Sequence, residues 1–351
     1  MSEAINFLEE ALMFGDWGKI EAAINDGTDI NGLDENGCTL LACAVSTNEP
    51  DNVRRLLELG ADVNAKLDAN INVLGYAALL FADNVRKSQE VNNIKPEIIS
   101  ILVDAGVDMS DAMLIAIRTG SVKFLDILIQ HGADINGNFA SGGTPFAITI
   151  LGIKGGISPQ ILEYLAEHGA NLNEIFDLGD GVETTALNIC ITLGRLDLMK
   201  ILLEHGADPN IKDNRGRAAL ILAFVMGNID VEDISCLLNS GADVNTQDDE
   251  GLTALMWTVL ERDKSANFMI SALIRTGGLN TENGIKWMCF AYCLSALKRE
   301  NQLELVKLLI ENGADVKIRN KSGMTALTYA AMNFDDEIFS ILKSAGNKNK
   351  T

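Results

Sequence analysis

The sequence predicts an all-α solenoid, a stack of helix-turn-helix units joined by short hairpins or turns. Three observations point there. A glycine-centred phrase recurs along the whole chain, and a second phrase precedes each apolar helical run. The apolar fraction of 47% contains only 5% aromatics, so Leu, Ile, Val and Ala must fill the core, as in closely stacked helices. At 351 residues the chain is too long for one ordinary core unless it divides or repeats. Five prolines and no long Ser/Gly tract leave no linker to divide it.

The glycine phrase reads GTDIN at Gly27, GADVN at Gly60, GVDMS at Gly106, GADIN at Gly132 and GANLN at Gly169. It continues as GADPN at Gly206, GADVN at Gly241, GGLNT at Gly277, GADVK at Gly313 and a terminal trace at Gly346. The intervals are 33, 46, 26, 37, 37, 35, 36, 36 and 33 residues. Each glycine tends to follow an apolar run such as Met199–Leu203, and glycine ends a helix cheaply because it reaches positive φ without a Cβ clash. The Asp and Asn that follow favour turns by bonding nearby backbone. One helix pair cannot bury its apolar face alone, so neighbours must stack into a continuous core.

The second phrase opens each unit. It reads Gly37-Cys38-Thr39-Leu40-Leu41-Ala42 in one copy and Gly143-Thr144-Pro145-Phe146-Ala147 in another. Later copies are Gly251-Leu252-Thr253-Ala254-Leu255 and Gly323-Met324-Thr325-Ala326-Leu327. With its G-x-T-P-L-H-x-A-like opening and GADVN close, the sequence resembles the ankyrin repeat over essentially the whole chain, as about ten units. The organisation expected is a single domain. Residues 1–33 form an N-terminal capping repeat, 34–318 the internal repeats with a long insertion near 82–97, and 319–351 a C-terminal cap.

The resemblance implies hairpins that project sideways, inner helices that line a concave face, and a partner protein held on both. Aligning the copies then singles out tip residues: Glu35, Asn36 and Cys38; Asn214, Arg215 and Arg217; Asp249, Glu250 and Leu252; Asn320, Lys321 and Met324. Trp257 and Trp287 lie in inner-helix regions and are candidate anchors, since interfaces favour large aromatics. Trp17 is a candidate cover for the open N-terminal end.

Departures from the family pattern locate the irregular units. The family's usual histidine is replaced by Ala42, Ile221, Met256 or Thr328, and Glu183 stands where one unit should open with glycine. The 46-residue interval carries a surplus around Asp83–Pro96, where Arg86 and Lys87 are candidate contacts, because long loops on rigid scaffolds often carry function. The following 26-residue interval sends Met109-Ser110-Asp111 into its inner helix without a hairpin, leaving a gap for a partner segment or for the preceding loop.

Charge narrows the partners. Lys plus Arg is 28 against 49 Asp plus Glu, a net −21, which disfavours nucleic acid and anionic membrane and attracts a basic protein surface. The first residues carry acids where a secretory leader carries lysines, and no apolar stretch reaches the ~20 residues of a membrane span. Six cysteines then read as free thiols of a cytoplasmic monomer, with Cys289 and Cys293 as small core residues and no metal or cofactor expected.

Catalysis finds no foothold in the pattern. His131, His168 and His205 each stand immediately before a helix-ending glycine, a recurring position that explains all of them. Asp177–Glu183 lacks the spacing and distant Glu of a calcium loop, and no phosphate-binding glycine motif is present. The expected function is a non-enzymatic protein-binding module. Alternatives are an acidic inhibitor or immunity-type protein that neutralises a basic toxin or enzyme, and a bacterial effector acting on host proteins, exported without a cleavable signal.

Overall fold

A computed structural model describes residues 2–86, 94–139, 142–151, 158–178, 183–227, 230–260 and 299–348. The chain divides into two compact units, residues 1–170 and 171–351. The first holds helix pairs α1 (Ser2–Met13) with α2 (Trp17–Asn25), α3 (Leu40–Thr47) with α4 (Pro50–Glu58), and α5 (Val73–Arg86) with α6 (Pro96–Asp104). It ends with α7 (Ser110–Thr119) and α8 (Val122–Gln130), then α9 (Pro145–Leu151) and α10 (Pro159–Glu167). The second opens on a two-stranded hairpin, β1 (Ile175–Asp177) and β2 (Glu183–Thr185), followed by α11 (Ala186–Thr192) and α12 (Leu196–Glu204). Its remaining pairs are α13 (Ala219–Met226) with α14 (Val231–Asn239), α15 (Ala254–Val259) with α16 (Arg299–Glu311), and α17 (Ala326–Met332) with α18 (Asp336–Lys348).

The two sequence phrases are the two ends of this machinery. The threonine of Gly-x-Thr is the N-cap of the inner helix: Thr39 Oγ1 accepts from Ala42 N, Thr253 from Met256 N and Thr325 from Thr328 N, and Thr185 does the same from Asn188 N where Glu183 replaces the glycine. At Ala218 the cap is missing, and α13 is instead apolar on every side and buried from Ala219 to Val225. The glycine after each outer helix lies at φ +81° to +93° from Gly27 to Gly313, the left-handed turn that frees the chain toward the next hairpin. Gly346 differs, being inside α18.

Where it is asparagine, the last residue of the glycine phrase binds its repeat to the next. Asn210 Nδ2 donates to Gly241 O at 2.9 Å while its Oδ1 accepts from Asp243 N at 2.7 Å. Asn64 makes the same two bonds to Gly106 O and Asp108 N, and Asn245 to Gly313 O and Asp315 N. Between these amide ladders and the outer helices lies the aliphatic core. In the first unit Leu40, Leu41, Val53, Leu56, Ile98, Ile99 and Leu102 are all at most 1% exposed. There too Phe81 and Phe124 meet tilted at 5.3 Å between ring centres.

The irregular intervals resolve differently. The surplus of the long interval begins as helix, since α5 runs on through Arg86 where the connection had been expected to start at Asp83. In the short interval α7 starts at Ser110 with no hairpin before it, and the neighbouring hairpin leans on its base. Buried Asn72 Nδ2 donates to Asp108 O at 2.7 Å, and Lys66 pairs with Asp111. In the second unit, the helix that packs on α15 is α16, and Asn245 bridges straight to Gly313 and Asp315. Residues 261–298, which carry the phrase at Gly277 together with Trp287, Cys289 and Cys293, fall between these two helices and outside the described residues.

Hairpins dock on hairpins through glycine. Gly216 and Gly323 both sit at positive φ, +70° and +75°. A Cβ on Gly216 would lie 2.6 Å from Asp249 Oδ1 and 2.9 Å from Asp249 N, whereas one on Gly323 would meet nothing within 4 Å. Gly323→Ala should therefore cost about 1 kcal/mol of backbone strain and Gly216→Ala about 2–3 kcal/mol, an order that urea unfolding midpoints will read. Asn210→Ala, which removes both ladder bonds, should cost about 1–2 kcal/mol in the same assay.

Candidate functional site

Four hairpin tips are each closed by one side chain. Asp34 Oδ1 accepts backbone N–H from Asn36 and Cys38, Asp213 Oδ1 from Arg215 and Arg217, and Asp248 Oδ1 from Glu250 and Leu252. Asn320 does the same with Ser322 and Met324. In three of them the second polar atom of that side chain bonds within the hairpin or to the inner helix. Asp213 Oδ2 accepts from Arg217 Nε at 2.8 Å, Asp248 Oδ2 from Trp257 Nε1 at 2.9 Å, and Asn320 Nδ2 donates to Tyr329 Oη at 2.8 Å. The tips are then strung together by backbone bonds in the second unit: Asn214 N to Glu183 O, Asp249 N to Arg215 O, and Lys321 N to Glu250 O.

Beneath the tips the inner helices leave clefts. In the first unit a cleft of about 440 Å³ is lined by Glu9, Leu12, Met13, Asp34, Asn36, Cys38, Cys43, Ser46, Thr47 and Tyr76. There Cys43 Sγ donates to Glu9 Oε1 at 2.5 Å, and Ser46 Oγ and Tyr76 Oη pair at 3.2 Å. Burial raises the Glu9 carboxyl above its ordinary range; the Cys43 hydrogen bond opposes this and the Asp34 carboxylate adds to it. Burial, then the Glu9 carboxylate, holds the Cys43 thiol firmly protonated.

A second cleft, of about 330 Å³, opens in the first unit where the hairpin is missing, between Val107–Met113 and Gly132–Phe139. Its floor is Met113 and Phe139, buried, and its rim Asp108, Asp134 and Asn138, exposed. The second unit has one of about 240 Å³ among Leu178, Thr184, Ile189, Thr192, Leu193, Leu222 and Met226, beside the Arg217–Asp213 pair. Leu193 stays 61% exposed at its edge.

The residues singled out in the sequence divide by this geometry. Glu35, Asn36, Asn214, Arg215, Asp249, Glu250 and Lys321 stand exposed on tips, and Cys38 and Met324 are half-buried beside them. Leu252 is buried, with only its backbone in the tip, and Arg217 is held in its own hairpin by Asp213. Trp257 is half-buried on the inner-helix face as the Asp248 donor. Trp17 lies at the start of α2 beneath the Arg55 guanidinium, 4.6 Å from the ring centre, so it belongs to the outer-helix row. Arg86 ends α5 with its side chain outside the described set, as are Lys87 and Trp287.

Sequence reasoning missed Glu9, Cys43 and Tyr76, whose only signal is position: Cys43 stands nine residues after Asp34, as Trp257 does after Asp248. The histidines are helix closures. His131, His168 and His205 are the C-caps of α8, α10 and α12, and the first two bond their own helix through Nδ1, to Ile127 O and Tyr164 O at 2.8 Å.

Profiles described as ankyrin repeat match residues 36–67, and those described as ankyrin repeats in several copies match 150–213, 187–283 and 291–343. The chain belongs to the ankyrin-repeat family. This ankyrin-repeat chain is 27% identical over 264 residues to the E3 ubiquitin-protein ligase KEG of Arabidopsis thaliana, covering 70% of the chain and 15% of the ligase. It is 26% identical over 226 residues to the ankyrin repeat protein nuc-2 of Neurospora crassa, covering 64% of the chain and 20% of that protein. It is 27% identical over 196 residues to the ankyrin repeat protein YahD of Escherichia coli K12, covering 55% of the chain and 92% of YahD. The chain thus spans a fifth or less of the first two relatives and most of the third. A crystal structure of an ankyrin repeat domain from Acinetobacter baumannii AYE aligns at a TM-score of 0.47 and 21% identity, over 67% of this chain and 97% of that one. Ankyrin repeats generally mediate protein–protein interaction, and the fold is typically non-enzymatic.

The Trp257 ring and its N–H have separable effects. Trp257→Phe keeps an aromatic ring but leaves Asp248 Oδ2 without its donor, and should lower stability by about 1–2 kcal/mol, measured by urea unfolding followed by circular dichroism.

Proposed function

We propose that this chain is a non-enzymatic module that holds a partner protein with a basic surface against its hairpin tips and inner-helix face. The supporting observation is where its cations are engaged. Arg54 pairs with Glu97, Arg55 with Glu21, Lys95 with Glu49, and Lys200 with Glu232 and Asp233, all along the outer helices and the turns that lead into them. On the tips, the exposed Glu35, Asp249 and Glu250 make no ion pair among the described residues. These tip acids remain open to a basic surface, and the net charge of −21 draws one in and accelerates encounter.

The clefts add short-range fit. The rim aspartates Asp108 and Asp134 stand over Met113 and Phe139, a setting for a basic side chain flanked by apolar ones. Cys38, Cys43, Cys190 and Cys236 are all unbridged, in keeping with a reducing compartment such as the cytoplasm.

A pull-down from the native source identifies the partner. Asp249→Lys combined with Glu250→Lys should slow its association about tenfold at low ionic strength and flatten the salt dependence, with the dissociation rate little changed. Association as fast as wild type, or indifferent to salt from the outset, would refute the electrostatic reading. Stable co-purification at one to one would select the inhibitor role over a general scaffold.

A further inference from the structure

We propose that the N-terminal cleft is a binding site for one borderline-soft divalent cation, best suited to zinc, with Glu9, Asp34 and Cys43 as ligands and Cys38 as a fourth donor. One ligand atom from each of Glu9, Asp34 and Cys43 lies within 4.8 Å of the others. Cys38 lines the same cleft, but its Sγ lies outside that grouping and must turn toward the ion to complete the set. Two thiols and two carboxylates make a mixed set that suits zinc.

A comparison between repeats shows what this corner lacks. In its sister hairpins the tip aspartate receives a side-chain N–H, from Arg217 at the fourth residue on or from Trp257 at the ninth. In the Asp34 hairpin those two positions are Cys38 and Cys43, and no side-chain N–H reaches the carboxylate among the described contacts. The preceding repeat adds a further acid, Glu9, and its Oε1 accepts from Cys43 Sγ. The cleft thus holds two carboxylates and two thiols where the Asp213 and Asp248 hairpins place a cationic or N–H donor. A partner's ammonium or guanidinium would satisfy the carboxylates but make no use of the thiols; a metal ion engages both.

The geometry needs a modest adjustment. Cys43 Sγ and Glu9 Oε1, 2.5 Å apart as donor and acceptor, must open to about 3.6 Å to share a tetrahedral ion. Both side chains are half-buried at the wall of an open cleft and have room to rotate. As each S–metal bond forms the thiol proton passes to solvent, and ion-bound water leaves in exchange. The proposal stands apart from the partner reading.

Cobalt(II) is the probe. Titrating the reduced full-length chain with it should give thiolate-to-cobalt charge-transfer absorption saturating at one equivalent and bleached by zinc. Cys43→Ser and Cys38→Ser should each lower the saturated absorption by about half and weaken binding more than about tenfold. Glu9→Gln should weaken binding while keeping the charge-transfer band, and serves as the test if either serine variant fails to fold. Cys289→Ser combined with Cys293→Ser is the control and should bind as wild type. No saturable band, a band undiminished in Cys43→Ser but lost in that control, or unchanged affinity in Glu9→Gln would overturn the assignment.

Discussion

The structure depends on a backbone problem solved by side-chain amides. After each outer helix the chain turns away through a left-handed glycine and runs outward, leaving carbonyl and N–H groups that no helix can satisfy. The asparagine of the preceding repeat supplies both missing partners at once, as Asn64, Asn210 and Asn245 do. An amide offers a donor and an acceptor on one rigid plane, so the bond pair fixes distance and orientation together. Stacking of the apolar helices provides the free energy, and the amide ladder sets the pitch.

That division of labour leaves the tips chemically free. In the hairpins of Asp34, Asp213, Asp248 and Asn320 the turn-closing atom is Oδ1, so the fourth and ninth residues after it can change without undoing the hairpin. Arg217, Trp257 and Tyr329 exploit this in the second unit, and Cys38 and Cys43 in the first. The surrounding electrostatics are just as segregated. Most ion pairs between neighbouring repeats run along the outer helices, which offsets repulsion there, while the tip acids Glu35, Asp249 and Glu250 face solvent.

Much of the fold was legible because its signals are local. Thr39 and Thr253 announce helix starts and Gly60 and Gly206 helix ends within a few residues, whatever surrounds them. The missing hairpin before Ser110 was equally plain from its short interval. The partnership of α15 with α16 was not, since it joins residues far apart in sequence and the phrase at Gly277 keeps the period running between them. The clefts were harder still. Glu9, Asp34 and Cys43 come from separate elements, and Leu252 shares the tip alignment with exposed residues while its side chain turns inward. Alignment orders positions along a chain and is blind to which way a side chain points.

The bond from Asn245 to Gly313 has an evolutionary reading. The ladder recognises whichever backbone stands next in space, and it does not register how much chain separates the two. Lengthening the passage between an inner and an outer helix carries an entropy penalty that grows only with the logarithm of its length. Such a scaffold can acquire new sequence there while its finger spacing stays fixed. In α5, which runs longer than its sister inner helices, the chain carries extra length at that seam. Novelty can enter on one margin of the stack while the opposite margin keeps its grip.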